Sequence, residues 1–222
     1  MAKRLGIIGH PVAHSLSPVF QGAALRECGL DVGYEAWDTP LEALEQRVAS
    51  LREEGVLGAN VTVPHKEVVI RFLDELGGQS SAVGAVNTIV NRWAAYGFNT
   101  DGPGFVRALR QRGRVRPGRP HPSSSWAPAA PPAASLSPCS KRASNMAIAN
   151  RTRERAQSLA RALDAPGRVS VVDAETSPAP YDCVINTTSV GMHGTGTEGR
   201  SPVEFPVARP GQLAVDIVYA PK

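Results

Sequence analysis

Short apolar runs alternate with segments of helical period along most of this chain. Residues 5–9, with Leu5, Ile7 and Ile8 among glycines, predict a buried strand, and residues 18–28 a helix stopped at Gly29. Pro18 suits the first helical turn, where its missing N–H costs nothing, and Ser17 suits the N-cap. Residues 34–38 read as a second strand. Leu41, Leu44, Val48 and Leu51 recur at helical spacing over 41–54 and end at Gly55. Residues 58–64 predict a third strand and 65–76 a third helix. Residues 84–90 and 95–101 read as strand and loop, before a linking helix over 103–112. Beyond residue 145 the pattern resumes with a strand over 146–152 that leaves for a polar turn, a helix over 153–163, and strands over 169–172, 181–186 and 213–219. Strands alternating with helices predict an α/β fold with mostly parallel sheet covered on both faces, and the linking helix marks a domain junction near residues 104 and 105.

One stretch breaks the pattern. Residues 118–145 are rich in Pro, Ser and Ala, where a strand, Gly-rich turn and helix would complete a dinucleotide-binding unit. Trp126 has a single codon, so its last base followed by the first two of Ala127 must read as glycine one nucleotide earlier. In that frame residues 123–133 can encode VLVLGAGGAAR, a strand running into a phosphate loop. Residues 136–143 permit AFALLEAG in the same frame, an apolar helix closed by glycine. The reading is a pair of compensating frameshifts, one between Gly118 and Ser123 and one between Ala143 and Met146. The alternative is a natural disordered Pro/Ala/Ser insertion, which the composition alone supports.

At 222 residues the chain is long enough for two small α/β domains. Its net charge of +4 is modest, and part of it sits in an Arg-rich run over 107–119. Aromatic residues are sparse at 5%, so the stacking platforms of a nucleic-acid binder are missing. Cys28, Cys139 and Cys183 lie far apart without metal-ligand spacing, which leaves neither a disulfide framework nor a zinc site. The first residues reach His10 and Pro11 too early for a signal-peptide core, and no later apolar run is long enough for a bilayer. The expected location is the cytoplasm.

Six motifs then stand in order: His10-Pro11-Val12-Ala13-His14-Ser15-Leu16-Ser17-Pro18, Asn60-Val61-Thr62-Val63-Pro64-His65-Lys66, Gly84-Ala85-Val86-Asn87-Thr88, Gly97-Phe98-Asn99-Thr100-Asp101-Gly102, Asn150-Arg151-Thr152 and Asn186-Thr187-Thr188-Ser189-Val190-Gly191-Met192. Together they resemble the shikimate dehydrogenase family, over nearly the whole chain except residues 118–145. The resemblance implies a substrate-binding and catalytic α/β lobe at 1–104 and an incomplete Rossmann-like, doubly wound NADP-binding lobe at 105–222. It implies NADP-dependent, reversible reduction of 3-dehydroshikimate to shikimate, a step of aromatic amino-acid biosynthesis, by a monomer or homodimer that binds neither nucleic acid nor membrane.

The residues suit a small polyhydroxylated acid. Ser15 and Ser17 place hydroxyls at a helix start that also favours a carboxylate; either alone reads as an ordinary cap or solvated serine, and the resemblance assigns both to the substrate. Thr62, Asn87 and Asp101 end or follow strands, so they converge at the carboxyl edge of a parallel sheet. Lys66 and Asp101 match the family's catalytic pair, with a lysine ammonium donating to a ketone oxygen and accepting in reverse. By itself Lys66 would read as a solvated lysine and Asp101 as a turn residue. His65 reads as structural, and His10 and His14 as loop residues.

On the cofactor side, Asn150 stands where an NAD-preferring fold places an acidic residue, and Arg151 suits a 2′-phosphate. Thr152 and Arg155 accompany it; the alternative is an exposed arginine in a basic turn. Thr187, Thr188 and Ser189 follow a strand on the nicotinamide side, with an ordinary turn as the alternative for Thr188 and Ser189, and Ile217 and Tyr219 match family positions near nicotinamide and substrate. Three departures from the family stand out. The Gly-rich loop is replaced by residues including Pro128, Pro131 and Pro132, which offer no N–H to a pyrophosphate, so a collapse of cofactor affinity, a poorly folded second half and a nearly inactive chain are expected. The sequence ends soon after Tyr219, short of the helices that in the family carry a substrate-touching glutamine. Gly77-Gly78 replaces an often polar cofactor neighbour. The alternatives are a quinate/shikimate dehydrogenase using NAD and a non-catalytic shikimate-binding remnant.

Overall fold

The computed structural model describes residues 3–78, 80–111, 124–128, 145–162, 169–192, 195–202 and 212–218. The chain divides into two compact units, Met1–Asp101 and Gly102–Lys222.

The first unit is built on a six-stranded sheet of order β2-β1-β3-β5-β6-β4, comprising β1 (Lys3–Gly9), β2 (Val32–Asp38), β3 (Val56–Val61), β4 (Glu75–Leu76), β5 (Thr88–Asn91) and β6 (Ala95–Phe98). β1 runs parallel to β2 and β3, and β4 parallel to β6, but β5 is antiparallel to both of its neighbours. The sheet is thus mostly parallel, as expected, with β5 as the one reversed strand among those described. The link from Asn91 to Ala95 is too short for a parallel crossover, and only a hairpin closes it. Gly58 makes the β3–β5 pairing possible: its φ is +148°, and an added Cβ would sit 2.2 Å from the Ile89 carbonyl oxygen.

Ile8, Trp37, Leu44, Val48, Leu51, Val61, Val69 and Ile89 form the core of this unit. Leu44 and Val48 come from α2 (Leu44–Ser50), preceded by a 3-10 turn at Leu41–Ala43, so the predicted helix over 41–54 is shorter than expected. The predicted third helix is replaced by a 3-10 turn at Val68–Phe72 followed by extended Leu73 and β4. The β-branched run Val68-Val69-Ile70 weakens helix propagation, and pairing with β6 draws the chain straight. α3 (Ser80–Val83) follows.

Helix α1 (Ser17–Glu27) corrects the capping expectation. Leu16 is its N-cap, Ser17 its first residue, and the Ser17 N–H is taken by the Ser15 hydroxyl at 3.2 Å. With Pro18 in the first turn, the chain tightens one residue earlier and the serine two positions upstream satisfies the exposed amide.

The second unit carries a five-stranded parallel sheet, order β11-β10-β7-β8-β9, from β7 (Ser124–Pro128), β8 (Asn145–Ala149), β9 (Val169–Val172), β10 (Cys183–Asn186) and β11 (Leu213–Asp216). Counted within the unit, the first-entered strand lies in the middle and the order reverses between β7 and β10, which is the doubly wound pattern. Alternation along β8 serves two faces. Met146 and Ile148 pack with Ile185, with Ala156 and Leu159 of α5 (Arg153–Ala162), and with Phe105 of α4 (Asp101–Gln111); Ala147 and Ala149 pack with Val184 on the other face. Burial on both faces is what parallel sheets require. Of the aberrant segment 118–145, residues 124–128 and 145 are described, as strand, so that Ala127 and Pro128, the first two positions of the glycine loop read over 127–133, continue β7; residues 129–133, the apolar helix read at 136–143 and Cys139 lie outside the described residues. No described helix is long and apolar enough to cross a membrane.

Candidate functional site

In the first unit, β1, β2, β3 and β6 all finish at one edge of the sheet, because the antiparallel β5 between β3 and β6 restores a common direction. The same reversal puts the start of β5 at that edge. Asn87 therefore stands just before a strand instead of following one, a correction that keeps it beside Thr62 and Asp101. Thr62 directly follows β3, its N–H donating to the Ile8 carbonyl at 2.8 Å, and its own carbonyl accepts the His65 N–H at 2.9 Å. That turn delivers Lys66 to the edge.

Lys66 Nζ donates to Asp101 Oδ2 at 2.7 Å, with the two side chains 19% and 36% exposed. The Lys66 carbonyl accepts the Val86 N–H at 2.8 Å, which fixes the backbone beneath the amine. Asp101 opens α4, where the helix dipole favours its negative charge, and its N–H donates to Asn99 Oδ1 at 3.1 Å. Asn87 Nδ2 donates to the other carboxylate oxygen of Asp101 at 2.7 Å. Both oxygens are thus held, one by an amide and one by the amine.

Behind this pair lies a longer run of polar side chains. The Tyr34 hydroxyl donates to Asn60 Oδ1 at 2.7 Å; Asn60 Nδ2 reaches the Asn87 carbonyl at 3.3 Å and Thr88 Oγ1 at 3.4 Å. Thr88 Oγ1 donates to Asn87 Oδ1 at 3.0 Å, where the Thr100 N–H also arrives at 2.9 Å. Tyr34, Asn60, Thr88 and Thr100 were not singled out in the sequence. Asn60, Thr88 and Thr100 stand within the sequence motifs without a role of their own, and what joins Asn60 and Thr88 to Tyr34 is strand register, which pairs Leu5 with both Tyr34 and Gly58 and Asn60 with Thr88.

His65 is fully buried, and its Nε2 hydrogen goes to the Thr39 carbonyl at 2.6 Å, so it latches the turn to the residue after β2. His10 Nδ1 lies 3.1 Å from Asp38 Oδ2, while Asp38 Oδ1 takes the Val12 N–H at 3.0 Å. These contacts pin the loop that bears Ser15 and Ser17.

In the second unit the predicted cofactor residues gather at the carboxyl edge of the parallel sheet. Asn150, Arg151 and Thr152 directly follow β8; Arg151, Thr152 and Arg155 are exposed, and Asn150 Oδ1 accepts the Thr152 N–H at 2.8 Å. Thr188 and Ser189 follow β10, where Asn186 Oδ1 accepts both the N–H and the hydroxyl of Thr188 at 2.9 and 2.8 Å. Ile217 follows β11, is 42% exposed, and donates its N–H to the Asn186 carbonyl at 3.2 Å. Asn186, unselected in the sequence, organises this corner and also donates to Asp216 Oδ1 at 3.1 Å. Tyr219 lies outside the described residues. An exposed arginine without a neighbouring acid at the end of β8, and hydroxyls beside the switch between β7 and β10, are donors that suit a phosphorylated dinucleotide.

Comparison with known proteins agrees with this geometry. Residues 7–89 match the family model for the shikimate dehydrogenase substrate binding domain. The chain is 38% identical to a shikimate dehydrogenase (NADP(+)) of Geobacillus kaustophilus, over 100% of this chain and 80% of that one. It is 40% identical to that of Symbiobacterium thermophilum, over 98% and 76%. Among solved structures, shikimate 5-dehydrogenase of Thermus thermophilus in complex with NADP(H) and shikimate superimposes with a TM-score of 0.84 at 34% identity, covering 99% of this chain and 80% of that one. The chain belongs to the shikimate dehydrogenase family.

Proposed function

We propose that this chain interconverts 3-dehydroshikimate and shikimate with NADP(H), through the Lys66–Asp101 pair. The observation that carries the reading is the 2.7 Å contact between Lys66 Nζ and Asp101 Oδ2, with Asn87 on the remaining oxygen, at the sheet edge of a family member. Reduction of a ketone adds a hydride to carbon and a proton to oxygen. NADPH, when bound, supplies the hydride, and NADP takes it back in the reverse direction. Lys66 supplies the proton: as an ammonium it donates to the developing alkoxide oxygen, and as the amine it recovers that proton from the hydroxyl. Asp101 aims the ammonium and balances its charge. Ser15, Ser17 and Thr62 offer hydroxyls to the carboxylate and ring oxygens of the substrate, and the start of α1 adds a favourable dipole. Tyr219 is proposed as a further substrate contact.

Arg151, with Asn150, Thr152 and Arg155, would hold the 2′-phosphate end of NADP; Thr188, Ser189 and Ile217 would line the nicotinamide end. Asn150 leaves no carboxylate to repel the phosphate. With prolines in the sequence where the family has its Gly-rich loop, cofactor affinity would fall and turnover with it. Residues 1–104 serve as the substrate-binding domain and 105–222 as the NADP-binding domain, in the cytoplasm. Incubating the full chain with shikimate and NADP and following the absorbance of reduced cofactor tests the proposal. Shikimate-dependent reduction that disappears in Lys66→Met is expected; no reduction at saturating cofactor, or turnover untouched by that change, refutes it.

A further inference from the structure

The polar run behind the Lys66–Asp101 pair has a direction. Tyr34 is its only phenol, and its O–H donates to the side-chain oxygen of Asn60 at 2.7 Å. With that oxygen occupied, the Asn60 amide must turn its Nδ2 toward Thr88 and the Asn87 carbonyl. Thr88, accepting from Asn60, sends its own hydrogen to Asn87 Oδ1 at 3.0 Å. Asn87 Oδ1 is then filled by Thr88 and the Thr100 N–H, and only Nδ2 is left to face Asp101, at 2.7 Å. A flipped Asn87 would set its amide oxygen against the carboxylate. The donors of the run therefore point the same way, from the middle of β2 across β3 and β5 to Asp101, and Thr100 holds Asn87 from the side, its N–H and hydroxyl reaching Asn87 Oδ1 at 2.9 and 3.1 Å.

We infer that Tyr34 is a positioning residue for the Lys66–Asp101 pair, acting through Asn60, Thr88 and Asn87. The inference rests on the reading of Lys66 and Asp101 as the proton-handling pair. Tyr34 touches neither of them. Its burial disfavours the phenolate and pushes its pKa up to about 12, so the first donor of the run stays intact at neutral and moderately alkaline pH. Removing that hydrogen leaves Asn60 Oδ1 without its donor and loosens Asn60 and Thr88 against Asn87, which then rests on Thr100 alone, so that Asp101 spends part of its time displaced from Lys66.

The test uses the full chain with Tyr34→Phe, which keeps the ring and deletes the donor. The expected result is a kcat lower by about tenfold with KM for shikimate changed by less than about twofold, because positioning acts on the reacting geometry more than on binding. In an Asp101→Asn background the same change should cost almost nothing further, whereas loss of general structural support would add in full. Without any ligand, the side-chain amide resonances of Asn87 should shift in Tyr34→Phe as well as those of Asn60. Thr88→Val, which cuts the run in its middle and leaves Tyr34 in place, should reproduce the loss in kcat and the shift at Asn87. If only Asn60 responds, if the two changes are additive, or if Tyr34→Phe loses the fold, the tyrosine supports the unit and not the pair, and the inference is overturned. A wild-type chain that fails to turn over shikimate refutes the functional reading instead, and the resonances of Asn87 then decide the coupling by themselves.

Discussion

The two units prepare for a ligand in opposite ways. In Met1–Asp101 the key side chains are half-buried and already hydrogen-bonded to one another, from Tyr34 through Asn87 to Asp101 and Lys66. In Gly102–Lys222 the candidate ligand-facing groups are mostly exposed: Arg151, Thr152, Arg155 and Ser189 project from turns at the ends of strands. The difference follows from what each would hold. A small neutral-to-anionic ring reacting at one carbon needs its proton donor fixed before it arrives. A long, highly charged dinucleotide is gripped by backbone N–H groups and exposed cations along a sheet edge, where rigidity of each side chain matters less.

The comparison breaks first if Lys66 proves dispensable. Lys66→Met should lower kcat by about a thousandfold while shikimate affinity, read by calorimetry, falls far less, since general acid catalysis typically contributes about 10² to 10⁴. A proportional loss of both would mean that the amine only binds. On the other side, replacing residues 123–133 with VLVLGAGGAAR should raise NADP affinity by about a hundredfold, as two regained backbone hydrogen bonds to a charged pyrophosphate are worth roughly 3 kcal/mol. Equal affinity before and after would show that residues 123–133 are no handicap. Arg151→Ala should lower the preference for NADP over NAD by about tenfold, the value of one charge-assisted contact of about 1.4 kcal/mol, with no effect on shikimate binding. An unchanged preference would place the 2′-phosphate elsewhere.

Legibility in the sequence followed the same divide between what is local and what depends on register. β1, β2, β3, β8 and β9, and helices α1, α4 and α5, were readable because an apolar run or a helical period buries one face and Gly29 or Gly55 stops it. The strand at β5 was legible but its reversed direction was not, because direction is decided by the brevity of the turn to β6. The 3-10 turn at Val68–Phe72 was misread because pairing of β4 with β6 overrode helical spacing. Lys66, Asp101 and Asn87 were legible as residues because they sit in recognisable loops. Asn60 and Thr88 lie in the same motifs but their joint role was not legible, and Tyr34 lies outside every motif, since three strand residues become one polar run only when the strands are laid side by side.

The smallest effect separates the units by their surface charges. Asp74 accepts the Ala95 N–H at 2.7 Å and pairs with Arg52 at 2.6 Å, and these contacts, the backbone one foremost, hold its pKa below the ordinary carboxylate value. A carboxyl whose pKa is lower in the folded state contributes stability at pH values above the unfolded value of 3.8, and that contribution disappears as pH falls through the folded one. Asp74→Asn should therefore lower the melting temperature slightly at neutral pH and leave it nearly unchanged at pH values below both, so the two curves converge on the acid side. Asp173 offers the contrast. Its pairing with Arg153 joins side chains 74% and 55% exposed, held by the guanidinium rather than by a backbone amide. Exposed pairs of this kind are typically worth under about 1 kcal/mol and are screened by salt, so Asp173→Asn should move the melting temperature little at any pH. Thermal melts of both variants across the acid range make the comparison. Convergence for Asp74→Asn alone would confirm that the Ala95 amide sets Asp74 apart from a carboxylate held by a guanidinium, whereas equal behaviour of the two would remove that distinction.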